Sequence, residues 1–180
     1  LGGAEDLLSA RMRSYELAAR MQLSVPGAAD ISREPKSITD LYGLEGKATA
    51  EFAQNCILAR RLLERGVRFV QLYSGGPLGG NPRTSWDGHE KMVPNPTREA
   101  ARIDQPVAAL LKDLRQRGML EDTLVTFTTE FGRTPFTQSE ANTLGDGRDH
   151  NHPGFTVWMA GAGVRAGTAY GATDEIGYRA

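Results

Sequence analysis

The stretch Thr123-Leu-Val-Thr-Phe-Thr-Thr-Glu-Phe-Gly-Arg-Thr-Pro135 decides how this chain is read. Leu124 to Phe127 is a short, β-prone apolar run with threonine on either side. The carboxylate of Glu130 comes next, then Phe131-Gly132-Arg133. A brief β-branched and aromatic run ended by small and polar residues is the pattern of a buried parallel strand. In open α/β sheets the ligand site lies just beyond the carboxyl ends of the strands. Glu130 therefore stands where chemistry is expected.

Working outward, Val67–Tyr73 and Thr156–Ala160 are the other predicted strands. Helical composition covers Ala4 to Leu23, with Pro26-Gly27 as its stop. Ser24 to Gly46, with Pro26, Gly27, Pro35 and Gly43, is predicted to be a surface connection. The second helix runs from Lys47 to Arg65, with Phe52, Cys56, Ala59 and Leu63 on one face and Gly66 as its cap. Cys56 in that stripe reads as a core thiol rather than a nucleophile. The third helix spans roughly Arg98 to Arg117, with Pro106 predicted to kink or restart it. Between them lies a long Gly/Pro-rich loop, Ser74 to Pro96; loops of that length are usually functional or disordered. A second, polar loop is predicted from Gly132 to Pro153. This helix–strand–helix–strand–strand order predicts an α/β sandwich containing a βαβ unit.

At 180 residues the chain has room for one domain with a sizeable core. A formal net charge of -1 offers no basic footprint for nucleic acid. No run of about eighteen apolar residues exists to span a membrane. Both ends break off in mid-pattern, so the chain is expected to be part of a larger protein.

The chemistry concentrates in the two loops. All three histidines lie there: His89 in Asp87-Gly-His89, and His150 and His152 in Arg148-Asp149-His150-Asn-His152. Asp and His are the oxygen and nitrogen ligands of zinc and also suit manganese or iron. On an extended segment an Asp-x-His pair puts both side chains on one side. Taken singly, each signal weighs more toward a plain reading: an Asx turn with an exposed His, a surface Glu130, or Arg133 and Arg148 as salt-bridge residues. Arg133 and Arg148 are also candidate anion binders, because guanidinium matches phosphate or sulfate bidentately. Three strand-end loops carrying such groups together are better evidence than any one.

Longer strings then bear on the family: Gly118-Met-Leu-Glu-Asp-Thr through the opening stretch, Gly147-Arg-Asp-His150, Ala160-Gly-Ala-Gly-Val-Arg-Ala-Gly167, and Tyr170-Gly-Ala-Thr-Asp-Glu-Ile-Gly177. With Leu58-Ala-Arg-Arg-Leu-Leu-Glu-Arg-Gly-Val-Arg-Phe-Val70 and Trp86-Asp-Gly-His89, they resemble the bacterial family catalogued as domain of unknown function 1501. That family is a branch of the alkaline-phosphatase-like superfamily that includes sulfatases. The resemblance covers most of the chain from about Ile38 onward.

It implies a three-layer α/β/α sandwich, of which residues 1–180 form the C-terminal part, with the N-terminal half of the same protein supplying the nucleophile. It implies a divalent metal (zinc, calcium, manganese or magnesium) held by Asp87, His89, Glu130, Asp149 and His150, with His152 as an alternative, and anions met by Arg133 and Arg148. The implied substrates are small-molecule or carbohydrate sulfate or phosphate esters, and the implied location is periplasmic or extracellular. Two features depart from the superfamily pattern: Glu130 stands where an Asp is usual, and Phe131 where a ligand His or Asn is usual. These departures favour a second reading, a non-catalytic exported binding protein that keeps the fold. A soluble α/β domain with structural histidines is the third.

Overall fold

The apolar stripe of the second predicted helix forms α3 (Ala50–Leu63), which buries Ala53, Cys56, Ile57 and Ala59. Its chain reverses at Gly66, where φ is +83° and the amides of Gly66 and Val67 close onto Leu63 and Leu62 carbonyls. The computed structural model describes residues 2–75, 85–140 and 143–180.

Against α3 lies α4 (Pro94–Gln116), burying Ile103, Pro106, Ala109, Leu110 and Leu114. It begins earlier than predicted because Pro94 occupies the first turn, where a missing N–H costs nothing. It also continues through Pro106, so the predicted restart does not occur. One absent hydrogen bond costs about 3 kcal/mol. The buried apolar positions on both sides of Pro106 offset that.

The first helix likewise outruns its predicted stop: α1 (Gly2–Ala29) continues past Pro26. Arginines from α3 and the turn after it hold its last carbonyls. Arg61 donates to Ala28 O at 2.8 Å and Gly27 O at 2.7 Å, and Arg65 donates to Gly27 O at 3.1 Å. Cations at a helix C-terminus satisfy carbonyls that have no partner within the helix.

The predicted surface connection also contains α2 (Lys36–Tyr42), closed by Gly43 at φ +73°. Seven residues are too few to show a period, and the helix is stabilised by packing. Tyr42 is fully buried in the core with Cys56, Ile57, Leu110 and Leu114, and its hydroxyl donates to Asp113 Oδ2 at 3.0 Å.

This core contains charge. The Arg60 side chain is 3 % exposed and lies 2.7 Å from Glu34, 2.9 Å from Glu64 and 3.1 Å from Asp113. Its Nε and Nη2 are out of hydrogen-bond alignment, so the contacts to Asp113 and Glu34 are coulombic. Arg61 and Arg117 supply the second cation to Glu34 and Asp113.

The strands depart most from expectation. β1 (Val125–Phe127) pairs with β6 (Trp158–Ala160), but the pairing is antiparallel, Val125 opposite Ala160 and Phe127 opposite Trp158. The run at 124–127 is thus not a parallel strand among the described residues. Val67–Tyr73 forms no ladder. Leu72 packs on the core, while Phe69 and Tyr73 are exposed. A strand needs a partner for its backbone groups, and none of the described residues supplies one.

The predicted loop at 132–153 contains two further antiparallel ladders. β2 (Gly132–Arg133) pairs with β5 (His150–Asn151), and β3 (Gln138–Glu140) with β4 (Thr143–Gly147). Gly132 is needed there because a Cβ would collide with the Gly154 carbonyl. Among the described residues the fold is therefore mixed helix and strand, with three two-stranded antiparallel sheets beside a helical core. No helix among the described residues is long and apolar enough to cross a membrane.

Candidate metal centre

Asp87 sits in a tight turn in which the Gly88 amide donates to Ser85 O at 3.0 Å. His89 follows, and the chain is then fastened to β4: the Lys91 amide donates to Asp146 Oδ1 at 3.1 Å and the Met92 amide to Asp146 O at 3.3 Å. Gly147 lies so close to the His89 carbonyl that any Cβ would overlap it. His150 comes from β5, directly opposite Arg133 on β2. Two short ladders thus bring the turn at 85–89 and the strand at 150 together.

Three donor atoms converge. His150 Nε2 lies 2.7 Å from Asp87 Oδ1 and 3.1 Å from His89 Nε2, and His89 Nε2 lies 3.8 Å from the same Asp87 oxygen. These separations place a point about 1.9 Å from all three atoms. Zinc binds such nitrogens and oxygens at about 2.0–2.2 Å. An ion slightly off the plane of the donors would reach each of them, so the residues fit a metal in number, chemistry and spacing. Phe131 flanks this centre, its ring 4.1 Å from that of His150.

Arg133 braces the same atoms. It donates to Trp86 O at 3.0 Å, Arg148 O at 3.2 Å and Asp87 Oδ1 at 3.3 Å, and its Nη1 lies 3.4 Å from His89 Nε2. The hydrogen bond from His150, with the charge of Arg133 beside it, holds the Asp87 carboxyl below the usual carboxylate range. Asp87 is therefore an anion at neutral pH, as a ligand must be.

The remaining sequence candidates are placed differently. Asp149 accepts from the His150 amide at 2.7 Å and lies 3.8 Å from His89 Nδ1, on the other side of that ring from the three donors. Arg148 donates to Thr134 O at 2.8 Å. Glu130 is exposed and has no hydrogen bond or ion pair with the described residues, and His152 is likewise exposed outside the cluster. Among the described residues no Ser or Thr hydroxyl is hydrogen-bonded to the three donors. One contact was missed from sequence: Gln138 Oε1 lies 2.6 Å from His89 Nδ1. Gln138 is in a polar, Ser/Thr-flanked stretch read as loop, and nothing in the string marked it.

A family model described as "Protein of unknown function (DUF1501)" matches residues 2–180, and the chain belongs to that family. No curated protein and no solved structure matches it.

Proposed function

We propose that this chain forms part of a metal-dependent hydrolase of sulfate or phosphate esters, with Asp87, His89 and His150 as its metal-holding residues. The observation that carries the reading is the convergence of two imidazole nitrogens and one carboxylate oxygen at metal-ligand spacing. A divalent ion bound there would supply Lewis-acid polarisation of an ester oxygen. Asp87 gives the site its anionic ligand, the two imidazoles give neutral ones, and Arg133 holds Asp87 in place. Among the described residues Arg133 is also a cation in contact with the centre, suited to an anionic ester group. The three-layer sandwich, with further strands and the nucleophile outside these residues, belongs to the same proposal. So do the ligand roles of Glu130 and Asp149, the alternative of His152, and an exported location.

Phe131 favours a second reading. An aromatic ring packed on His150 closes one approach to the centre with a group that cannot ligate, as in a binding protein that keeps a metal without turnover. Metal content and turnover of generic aryl sulfates and phosphates by the intact protein separate the two. The hydrolase reading expects bound divalent metal and ester turnover that disappears in His89→Ala. Bound metal without turnover of either ester class would leave the binding reading. Absence of metal binding would sink both.

A further inference from the structure

We infer that Gln138 is a positioning residue that fixes the tautomer of His89 and so decides which ring nitrogen is offered to the centre; this rests on the metal-centre reading above. His89 Nε2 faces Arg133 Nη1 at 3.4 Å, and a guanidinium can only donate. Nε2 must therefore present a lone pair, and the single proton of the neutral imidazole belongs on Nδ1. That proton needs an acceptor, and Gln138 Oε1 is 2.6 Å away. Asp149 Oδ1, at 3.8 Å, is beyond hydrogen-bond range and already accepts from the His150 amide. Were the Gln138 amide reversed, its N–H would face Nδ1, and the ring proton would point from Nε2 at Arg133, donor against donor.

The backbone supports the same assignment. Gln138 on β3 is paired with Gly147 on β4, and Gly147 is the residue that abuts the His89 carbonyl. One ladder therefore sets both the position of the His89 backbone and the hydrogen bond of its ring. A ligand histidine needs its metal-facing nitrogen unprotonated, and the partner of the other nitrogen fixes that state.

The test uses the intact protein and zinc alone. Calorimetric titration compares wild type, Gln138→Met, Gln138→Glu and His89→Ala, and nitrogen-15 NMR reads the His89 tautomer in zinc-free protein. Gln138→Met is expected to weaken zinc binding about 10–100-fold and to let the Nε2–H tautomer appear. Gln138→Glu, which keeps the acceptor, is expected to restore both. Wild-type affinity and an unchanged tautomer in Gln138→Met, with zinc binding lost in His89→Ala, would overturn the positioning role and leave the metal centre standing. Weakened binding that Gln138→Glu fails to restore, with the tautomer unchanged, would also overturn it in favour of a purely structural role. Wild-type affinity in His89→Ala would instead remove the metal centre, and the tautomer alone would then decide whether Gln138 orients the ring.

Discussion

Zinc should stabilise this protein only through its folded state, and the chain separation of the ligands sets how cleanly. His89 and His150 are 61 residues apart. For the unfolded chain, closing a loop of that length costs about 3.6 kcal/mol. Its affinity for an ion held by both histidines is thus lower by roughly 400- to 500-fold. At a free zinc concentration of about 100 times the folded-state Kd, binding to the unfolded chain is then minor, and folding gains about 2.7 kcal/mol. For a domain of this size each kcal/mol raises Tm by about 2–4 °C, so the expected rise is about 5–10 °C. Differential scanning calorimetry with and without zinc measures it. His150→Ala, which leaves only the local Asp87–His89 pair, should lose most of the rise, while His152→Ala should keep it. A wild-type Tm unmoved by zinc, or an equal rise in His150→Ala, would refute the reasoning.

The buried charges give two more expectations. Arg60→Met leaves Glu34 and Asp113, each at most 5 % exposed, one cation short; it should cost about 3–5 kcal/mol in urea unfolding. Arg117→Met also takes a cation from Asp113, but its guanidinium is 34 % exposed and water can replace it, so the loss should be smaller than for Arg60→Met; equal losses would contradict the burial argument. Burial pushes the Glu34 carboxyl upward, but the hydrogen bond from Arg61 and the adjacent charge of Arg60 outweigh it and hold the group below its usual range. Its contribution is therefore complete above the unfolded value of about 4.3 and lost as pH falls through the lower folded value. The urea midpoint should decline below about pH 4.3, and less steeply in Glu34→Gln; identical slopes would count against the assignment.

What the string of residues revealed followed its periodicities. The face of α3 was legible because 3.6-residue spacing marks burial, and Gly66 was legible because a left-handed turn selects glycine. The run at 124–127 was legible as a strand, but its direction was not, because four residues carry no record of their partner. α2 was hidden by its length. The β2–β5 and β3–β4 ladders were hidden by polar composition, since two- and three-residue pairings bury too little to impose alternation. At the candidate centre, Asp87, His89 and His150 stood out as metal-ligating types concentrated in two loops. The Gln138 side chain and the bracing carbonyls of Trp86 and Arg148 are brought in by ladders and turns that residue identity does not encode.

Cys56 gives the helical core a further property. It is the only cysteine in the chain, fully buried between the packed helices, and burial pushes its thiol up to about 12. A thiol reagent reacts with the thiolate, so the closed protein is chemically silent toward it. Modification has to wait until the contacts around Ile57 and Leu114 come apart and the sulfur regains an ordinary aqueous acidity. Each molecule labelled has therefore opened its centre at least once. With no other sulfhydryl to add background, the sequence carries its own clock for how often that happens.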